Sequence, residues 1–273
     1  MVSNKIVITG TDGFIGKNLY NKIKDEYCIM QLNENTFDKE RWWEILHYFL
    51  KQFQPDAIFH VGACSNTLET DVNYMMTRNY EYTKIVSDYC VKNNVKLIYS
   101  SSAANYGINN TFPSNLYGWS KYIAENYVVK NGGIALRYFN VYGPGESHKE
   151  NMASVAYQMK QNDNKGNIVK LFPNNPKRDF VYIDDVIDAN LYALNFYDEL
   201  KAKWYEVGSG EARSFEDVLR LMNIPFEYTE EKDIPKGYQM FTKSKKDKWM
   251  KGWEPKFNLE NGIEIYKNYL KIF

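Results

Sequence analysis

The stretch Lys5-Ile6-Val7-Ile8-Thr9-Gly10-Thr11-Asp12-Gly13-Phe14-Ile15-Gly16 decides how the chain is read. Ile6 to Thr9 is a β-branched run that stops at a glycine, the pattern of a short strand buried on both faces. Beyond the glycines, Leu19, Tyr20 and Ile23 fall at helical spacing. The three glycines therefore stand between a strand and a helix, where they have a physical role. They permit a tight turn and let the backbone approach a pyrophosphate, whose charge the helix N-terminus attracts. Gly10, Gly13, Phe14, Ile15 and Gly16 are the candidate dinucleotide loop; a purely structural turn is the alternative.

Outward from this unit the pattern repeats. A second strand is expected over Tyr27 to Leu32, and a site for NAD should place an acidic residue at its end for the ribose hydroxyls. Leu32-Asn33 stands there instead. Asn33 is the candidate at that position, and nearby Lys39 and Arg41 either face a 2′-phosphate or are solvated charges. An amphipathic helix over Trp42 to Gln52 precedes a third strand, Asp56 to Val61. The small residues Gly62, Ala63, Cys64 and Ser65 follow, suited to passing beside a cofactor. Met75 to Asn93 reads as one long helix, Val95 to Tyr99 as the fourth strand, and Gly133 to Phe139 as the fifth. Strands alternating with helices predict a parallel sheet covered on both faces, with ligands beyond the carboxyl ends of its strands.

The fold class read from this is α/β: a Rossmann-type doubly wound parallel sheet with a smaller C-terminal α/β substrate lobe. Residues 1–140 are assigned to the dinucleotide-binding domain and 141–273 mainly to the lobe, with about 180–210 returning to the first domain. After Asn140 the alternation weakens. Helices are expected over Met152 to Asn162 and Asp184 to about Leu200, with strands at Lys170 to Pro173 and Lys177 to Ile183; Phe215 to Asn223 and the tail are placed in the smaller lobe. Lys243 to Lys251 reads as a solvated helix face.

Basic and acidic residues are equal, at 34 each among 273 residues. No global field attracts nucleic acid or an anionic membrane. The 3 cysteines lack metal-ligand or disulfide spacing, so free thiols in a reducing compartment are expected and no metal site is assigned. No apolar run approaches the ~18 residues of a membrane span, and a cytoplasmic protein is expected.

Tyr117-Gly118-Trp119-Ser120-Lys121 carries the chemistry. A tyrosine and a lysine four residues apart share one helix face. An ammonium one turn away favours the phenolate of a group whose free pKa is ~10, so the pair can take and return a proton. Ser102 ends the run Ser100-Ser101-Ser102 before Ala103-Ala104; it is either a site serine or a strand-end turn residue. Arg178 is suited to gripping a diphosphate at two points, or to pairing with Asp179 or Asp185.

Read together, these strings resemble the extended short-chain dehydrogenase/reductases that act on nucleotide sugars, most nearly their ADP-L-glycero-D-manno-heptose 6-epimerase branch. The matching strings are His60 to Ser65, Asn73 to Asn79, Ser101 to Gly107, Arg137 to Pro144, His148-Lys149 with Met152 to Ala156, Lys177 to Tyr182, and Gly237 to Gln239. The resemblance implies an NADP-dependent epimerase, with NAD as the other cofactor. It works by transient oxidation to a ketone and re-reduction on the opposite face. It also implies a nucleotide-diphosphate sugar substrate and a homo-oligomer. Ser102, Tyr117 and Lys121 would be catalytic, with Lys149 the second acid/base. Lys39 and Val141 would lie at the cofactor, joined by Gly62, Ala63, Cys64 and Ser65. Ser65, Ser102, Asn140, Asn151, Gln158, Phe172, Arg178 and Tyr238 would meet substrate. The chain departs from the branch in being shorter before Asp38 and between Gly107 and Tyr117, and in carrying Asn151 and Gln158 where serine and histidine are expected. The rival readings are a 4-epimerase or reductase on the same scaffold, and a non-catalytic NADP sensor. A 4,6-dehydratase would need an Asp-Glu pair where Ala103-Ala104 stands.

Overall fold

The computed structural model describes residues 4–33, 41–108, 111–147, 153–234 and 238–270. The strands are β1 Lys5–Thr9, β2 Cys28–Leu32, β3 Ala57–His60, β4 Lys96–Ser102, β5 Ile134–Tyr138 and β6 Asn140–Tyr142. They continue with β7 Val169–Leu171, β8 Lys177–Tyr182, β9 Lys203–Val207, β10 Ala212–Ser214 and β11 Phe226–Tyr228. The helices are α1 Phe14–Ile23, α2 Trp42–Phe53, α3 Val72–Met76, α4 Tyr82–Asn93 and α5 Leu116–Lys130. After these come α6 Val155–Asn164, α7 Ile183–Asn195, α8 Tyr197–Leu200, α9 Phe215–Met222 and α10 Leu259–Leu270.

Six strands make one parallel sheet in the order β2-β1-β3-β4-β5-β9. The reason β1 reads as a continuous apolar run is visible in its packing. Ile6 and Ile8 join a core with Phe14 and Leu19 on one face, while Val7 joins Ile58, Leu46 and Leu50 on the other. Both faces are covered, so alternation disappears from the sequence. Burying each such side chain stabilises the fold by about 1.5–3 kcal/mol.

The strand order reverses between β1 and β3, and this opens a crevice beyond their carboxyl ends. Gly10 and Gly62 lie there with backbones in contact. A Cβ on Gly10 (φ +70°) would come within 2.6 Å of the Gly62 Cα. A Cβ on Gly16 would sit 2.1 Å from the Gly10 carbonyl oxygen, so glycine is what lets α1 press onto its loop.

A second sheet, β10-β8-β6, and the pair β11-β7 flank this crevice. β6 and β8 are parallel, β10 and β8 antiparallel. The chain returns to the main sheet through β9, which pairs with β5 from Ile134↔Lys203 to Tyr138↔Val207.

Several elements differ from the sequence expectation. The long helix over Met75–Asn93 is instead α3, a π-helical turn Thr77–Glu81 and α4. The wide turn carries Asn79, whose amide is drawn inward by buried partners described below, and such bulges arise where a side chain competes for the helical register. Lys243–Lys251 holds only a 3₁₀ turn, Lys246–Lys248, because Met250 is buried and the Lys245 N–H donates to Glu206. The short strands β6, β10 and β11 fell in segments read as loops or left unassigned. Among the described residues no helix is long and apolar enough to cross a membrane.

Candidate active site

The crevice is a cleft of about 840 Å³ whose walls bring together residues far apart in sequence. Phe14 and Ile15 line it from α1, Ala63 and Ser65 from the turn after β3, and Ser102 from the end of β4. Tyr117 and Lys121 enter from α5, Asn140 and Val141 from β6, and Arg178 with Tyr238 from the smaller lobe. Phe172 lies outside it, in an adjoining pocket of about 170 Å³ that shares Tyr238. The Phe172 and Tyr238 rings meet edge to face at 5.1 Å. Gln158 is half-buried on α6, donates from Nε2 to the Ala153 carbonyl at 2.8 Å, and lines neither space. Lys39, Lys149 and Asn151 lie outside the described residues.

Helix α1 opens at Gly13, which supplies no capping side chain, and its first turn carries no acidic residue. Its terminal N–H groups are therefore suited to an anion. Gly13 donates its N–H to the Gly10 carbonyl at 3.1 Å, which closes the loop. At the end of β2, the Asn33 Oδ1 accepts from the Thr11 N–H at 3.1 Å and the Thr11 hydroxyl at 2.5 Å. An uncharged amide here does not repel a 2′-phosphate as a carboxylate would.

The turn after β3 is fixed from below. Asn79 accepts the Cys64 N–H at 2.7 Å and donates to the Cys64 carbonyl at 3.0 Å, and donates also to the Ser120 hydroxyl at 2.9 Å. The π turn of the preceding helix thus ties the cofactor-side turn to α5. Thr9 accepts the Gly62 N–H at 2.9 Å in the same way.

The Ser102 Oγ accepts the Ala104 N–H at 3.1 Å, which leaves its own proton to donate into the cleft. Burial pushes the Tyr117 phenol above its usual range, and a hydrogen bond from Ser102 works the other way. Lys121 is buried, with its ammonium 4.3 Å from the centre of the Tyr99 ring. Desolvation lowers its pKa to about 7, and the carboxylate of Glu125 opposes that drop. His60, fully buried beneath it, is held neutral: burial and the Lys121 charge bring it down to about 3. Its ring nitrogens engage the hydroxyls of Thr9 and Thr83, each at 2.9 Å.

On the opposite wall Arg178 is 7% exposed, donates to the Lys177 carbonyl at 2.9 Å, and lies over Tyr238 and Phe215 at 5.2 and 5.5 Å. It does not pair with Asp179 or Asp185. Asp179 accepts from Ser209, Gly210 and Ser244, and Asp185 from the Lys256 and Phe257 N–H groups. A buried guanidinium with no carboxylate among the described residues faces the cleft.

Two residues of this region went unremarked in the sequence reading. Glu125 is wholly buried one turn beyond Lys121, and Arg137 binds both its oxygens at 2.8 and 2.5 Å. The signal was present. A third ionisable residue continues the four-residue spacing of Tyr117 and Lys121, and an arginine stands inside the apolar strand Ile134-Ala135-Leu136-Arg137-Tyr138.

Comparison with known proteins agrees with this construction. Residues 6–208 match the NAD dependent epimerase/dehydratase family. An ADP-L-glycero-D-manno-heptose-6-epimerase of Brachyspira hyodysenteriae is 34% identical over 314 residues, covering 97% of this chain and 98% of the relative. That alignment is longer than the 273-residue chain, so the relative carries segments missing here. The crystal structure of a Helicobacter pylori ADP-L-glycero-D-manno-heptose-6-epimerase superimposes with a TM-score of 0.85 at 26% identity, over 100% of this chain and 97% of that one. A Thermotoga maritima UDP-glucose 4-epimerase shares the fold, with a TM-score of 0.81 at 24% identity over 98% and 99% of the two chains. With a glycine loop, a Ser–Tyr–Lys cluster and near full-length similarity in agreement, the chain belongs to the NAD dependent epimerase/dehydratase family.

Proposed function

We propose that the protein is an NAD(P)-dependent nucleotide-sugar epimerase of the ADP-L-glycero-D-manno-heptose 6-epimerase kind. The observation that carries this is one cleft lined by Ser102, Tyr117 and Lys121 on one wall and, on the other, by a buried Arg178 with no carboxylate partner among the described residues. The residues present fit a dinucleotide: α1 starts without a capping side chain or an acidic residue in its first turn, and the buried ammonium of Lys121 lies in the cleft. The uncapped start of α1 would hold the pyrophosphate, and Lys121 the nicotinamide ribose. A bound nicotinamide would supply the hydride chemistry that oxidation of a sugar carbinol and re-reduction of its ketone require.

Tyr117 takes the hydroxyl proton as the carbinol is oxidised, and Lys121, when charged, favours the phenolate that does so. Ser102 donates its hydroxyl proton to the reacting oxygen. Arg178 holds the diphosphate by charge-assisted hydrogen bonds, and Phe172 with Tyr238 borders the nucleoside. Inversion needs a proton from the second side, and Lys149 is proposed for that role. Asn151 belongs to the substrate side in this reading, and Lys39 to the cofactor phosphate, with NADP as the preferred cofactor. Residues 1–140 would form the dinucleotide-binding domain. Cytoplasmic action and assembly into a homo-oligomer complete the proposal, the latter checked by analytical ultracentrifugation.

Incubation with NADP and ADP-glycero-manno-heptose, followed by NMR of the C6 configuration, tests the reading. Inversion is expected; cofactor binding without any change in the sugar points to a sensor. Within that assay Tyr117→Phe should abolish turnover and Lys149→Met should slow inversion by ~10²-fold or more, the usual size of a general acid/base contribution. Wild-type inversion by Lys149→Met would rule out the two-base scheme.

A further inference from the structure

The wholly buried carboxylate of Glu125 is bound by groups from β4, the 3₁₀ turn that follows it and β5. The Ser101 hydroxyl, adjacent to Ser102 on β4, donates to its Oε2 at 2.6 Å. Asn105, in the 3₁₀ turn that follows, donates to the same oxygen at 2.9 Å and to the Ser101 hydroxyl at 3.1 Å. Arg137 of β5 closes the set through its Nε and Nη2 and is itself flanked by the Trp204 ring at 3.7 Å and the Tyr106 ring at 4.7 Å. Glu125 is carried by α5, the helix of Tyr117 and Lys121, four residues beyond the lysine on the same face.

We infer that Glu125 is a positioning residue, which fixes the strand end of Ser102 against the helix of Tyr117 and sets a carboxylate one helical turn from Lys121. The inference rests on the role given above to Lys121. The ionisable groups facing that ammonium are His60 from β3, Tyr99 from β4, and Tyr117 and Glu125 from its own helix, with Arg137 of β5 behind Glu125. His60 is neutral, and burial holds the Tyr99 phenol protonated well above its ordinary range. Glu125 is the one anion in the group.

A merely structural ion pair would hold the fold without moving the titration of Lys121, and this separates the two roles. In the cofactor-free protein, NMR of ¹³Cε-labelled lysine should give a Lys121 midpoint near 7 in the wild type. Glu125→Gln should lower it by about one unit, equivalent to ~1.4 kcal/mol of differential interaction. In the holoenzyme the same change should cut kcat about tenfold, with KM for the nucleotide sugar less affected. Glu125→Gln also strands the Arg137 charge, so Glu125→Gln/Arg137→Gln, which removes both charges, serves if the single variant does not fold. A wild-type Lys121 midpoint in either folded variant would overturn the inference. The titration needs neither substrate nor turnover, so its outcome is independent of which sugar is inverted.

Discussion

At the scale of single residues, Lys121 makes the most exposed prediction. Its pKa near 7 in the cofactor-free protein arises from burial, and in the proposed role the phosphates and ribose hydroxyls of a bound cofactor would restore the charged form. The folded-state value is lowered before binding and raised after it, so binding takes up a proton between the two values. Affinity should then fall above pH 7 by up to about tenfold per pH unit, as linkage requires. Calorimetry in two buffers of different ionisation enthalpy measures that uptake, and none at pH 8 would contradict the assignment. Arg178 gives a second prediction. Arg178→Met should raise KM for the nucleotide sugar by ~10–100-fold, the equivalent of a charge-assisted hydrogen bond of ~1.5–3 kcal/mol, with kcat less affected. Tyr117 and Lys121 were legible because helical spacing alone places them on one face. The choice between a diphosphate grip and an ion pair for Arg178 was not legible, because it depends on donors at Ser209, Gly210 and Ser244 that occupy Asp179 from a distant part of the chain.

Between elements, the glycine loop is the strictest contact. Alanine in a helix is favoured over glycine by up to ~1 kcal/mol. At Gly16 the new methyl would meet the Gly10 carbonyl at 2.1 Å, backbone that cannot rotate away. Overpacking of this kind costs ~1–3 kcal/mol, so Gly16→Ala should destabilise the protein and weaken cofactor binding together. Denaturant unfolding and a binding titration check both. The strand–loop–helix unit could be read because its pattern is local. The π turn at Asn79 could not, since its cause is the Cys64 backbone and Ser120, which are 15 and 41 residues away along the chain. The edge strand β9 escaped for a similar reason. Its Glu206 is buried and accepts from the Tyr106 hydroxyl and the Lys245 N–H, so a polar residue interrupts what would otherwise read as an apolar run.

For the whole molecule, the cleft exists because two separately built sheets face each other across the carboxyl ends of β1, β3 and β4. The loop after β6 is anchored by Glu146, which accepts from the Ser154 hydroxyl and from Tyr266 on the terminal helix, each at 2.7 Å. Gln239 of the smaller lobe donates to the Gly107 carbonyl at 2.9 Å, at the head of the shortened segment before Tyr117. These long-range ties decide the shape of the cleft, and sequence periodicity carries no trace of them. The central claim is that a single cleft oxidises a carbinol and reduces the same carbon on its other face. A nucleotide heptose deuterated at C6, incubated with the holoenzyme in ordinary water, tests it most directly. The account predicts that the inverted product keeps its deuterium, because hydride leaves and returns within one closed site; loss of the label to solvent during inversion would contradict it.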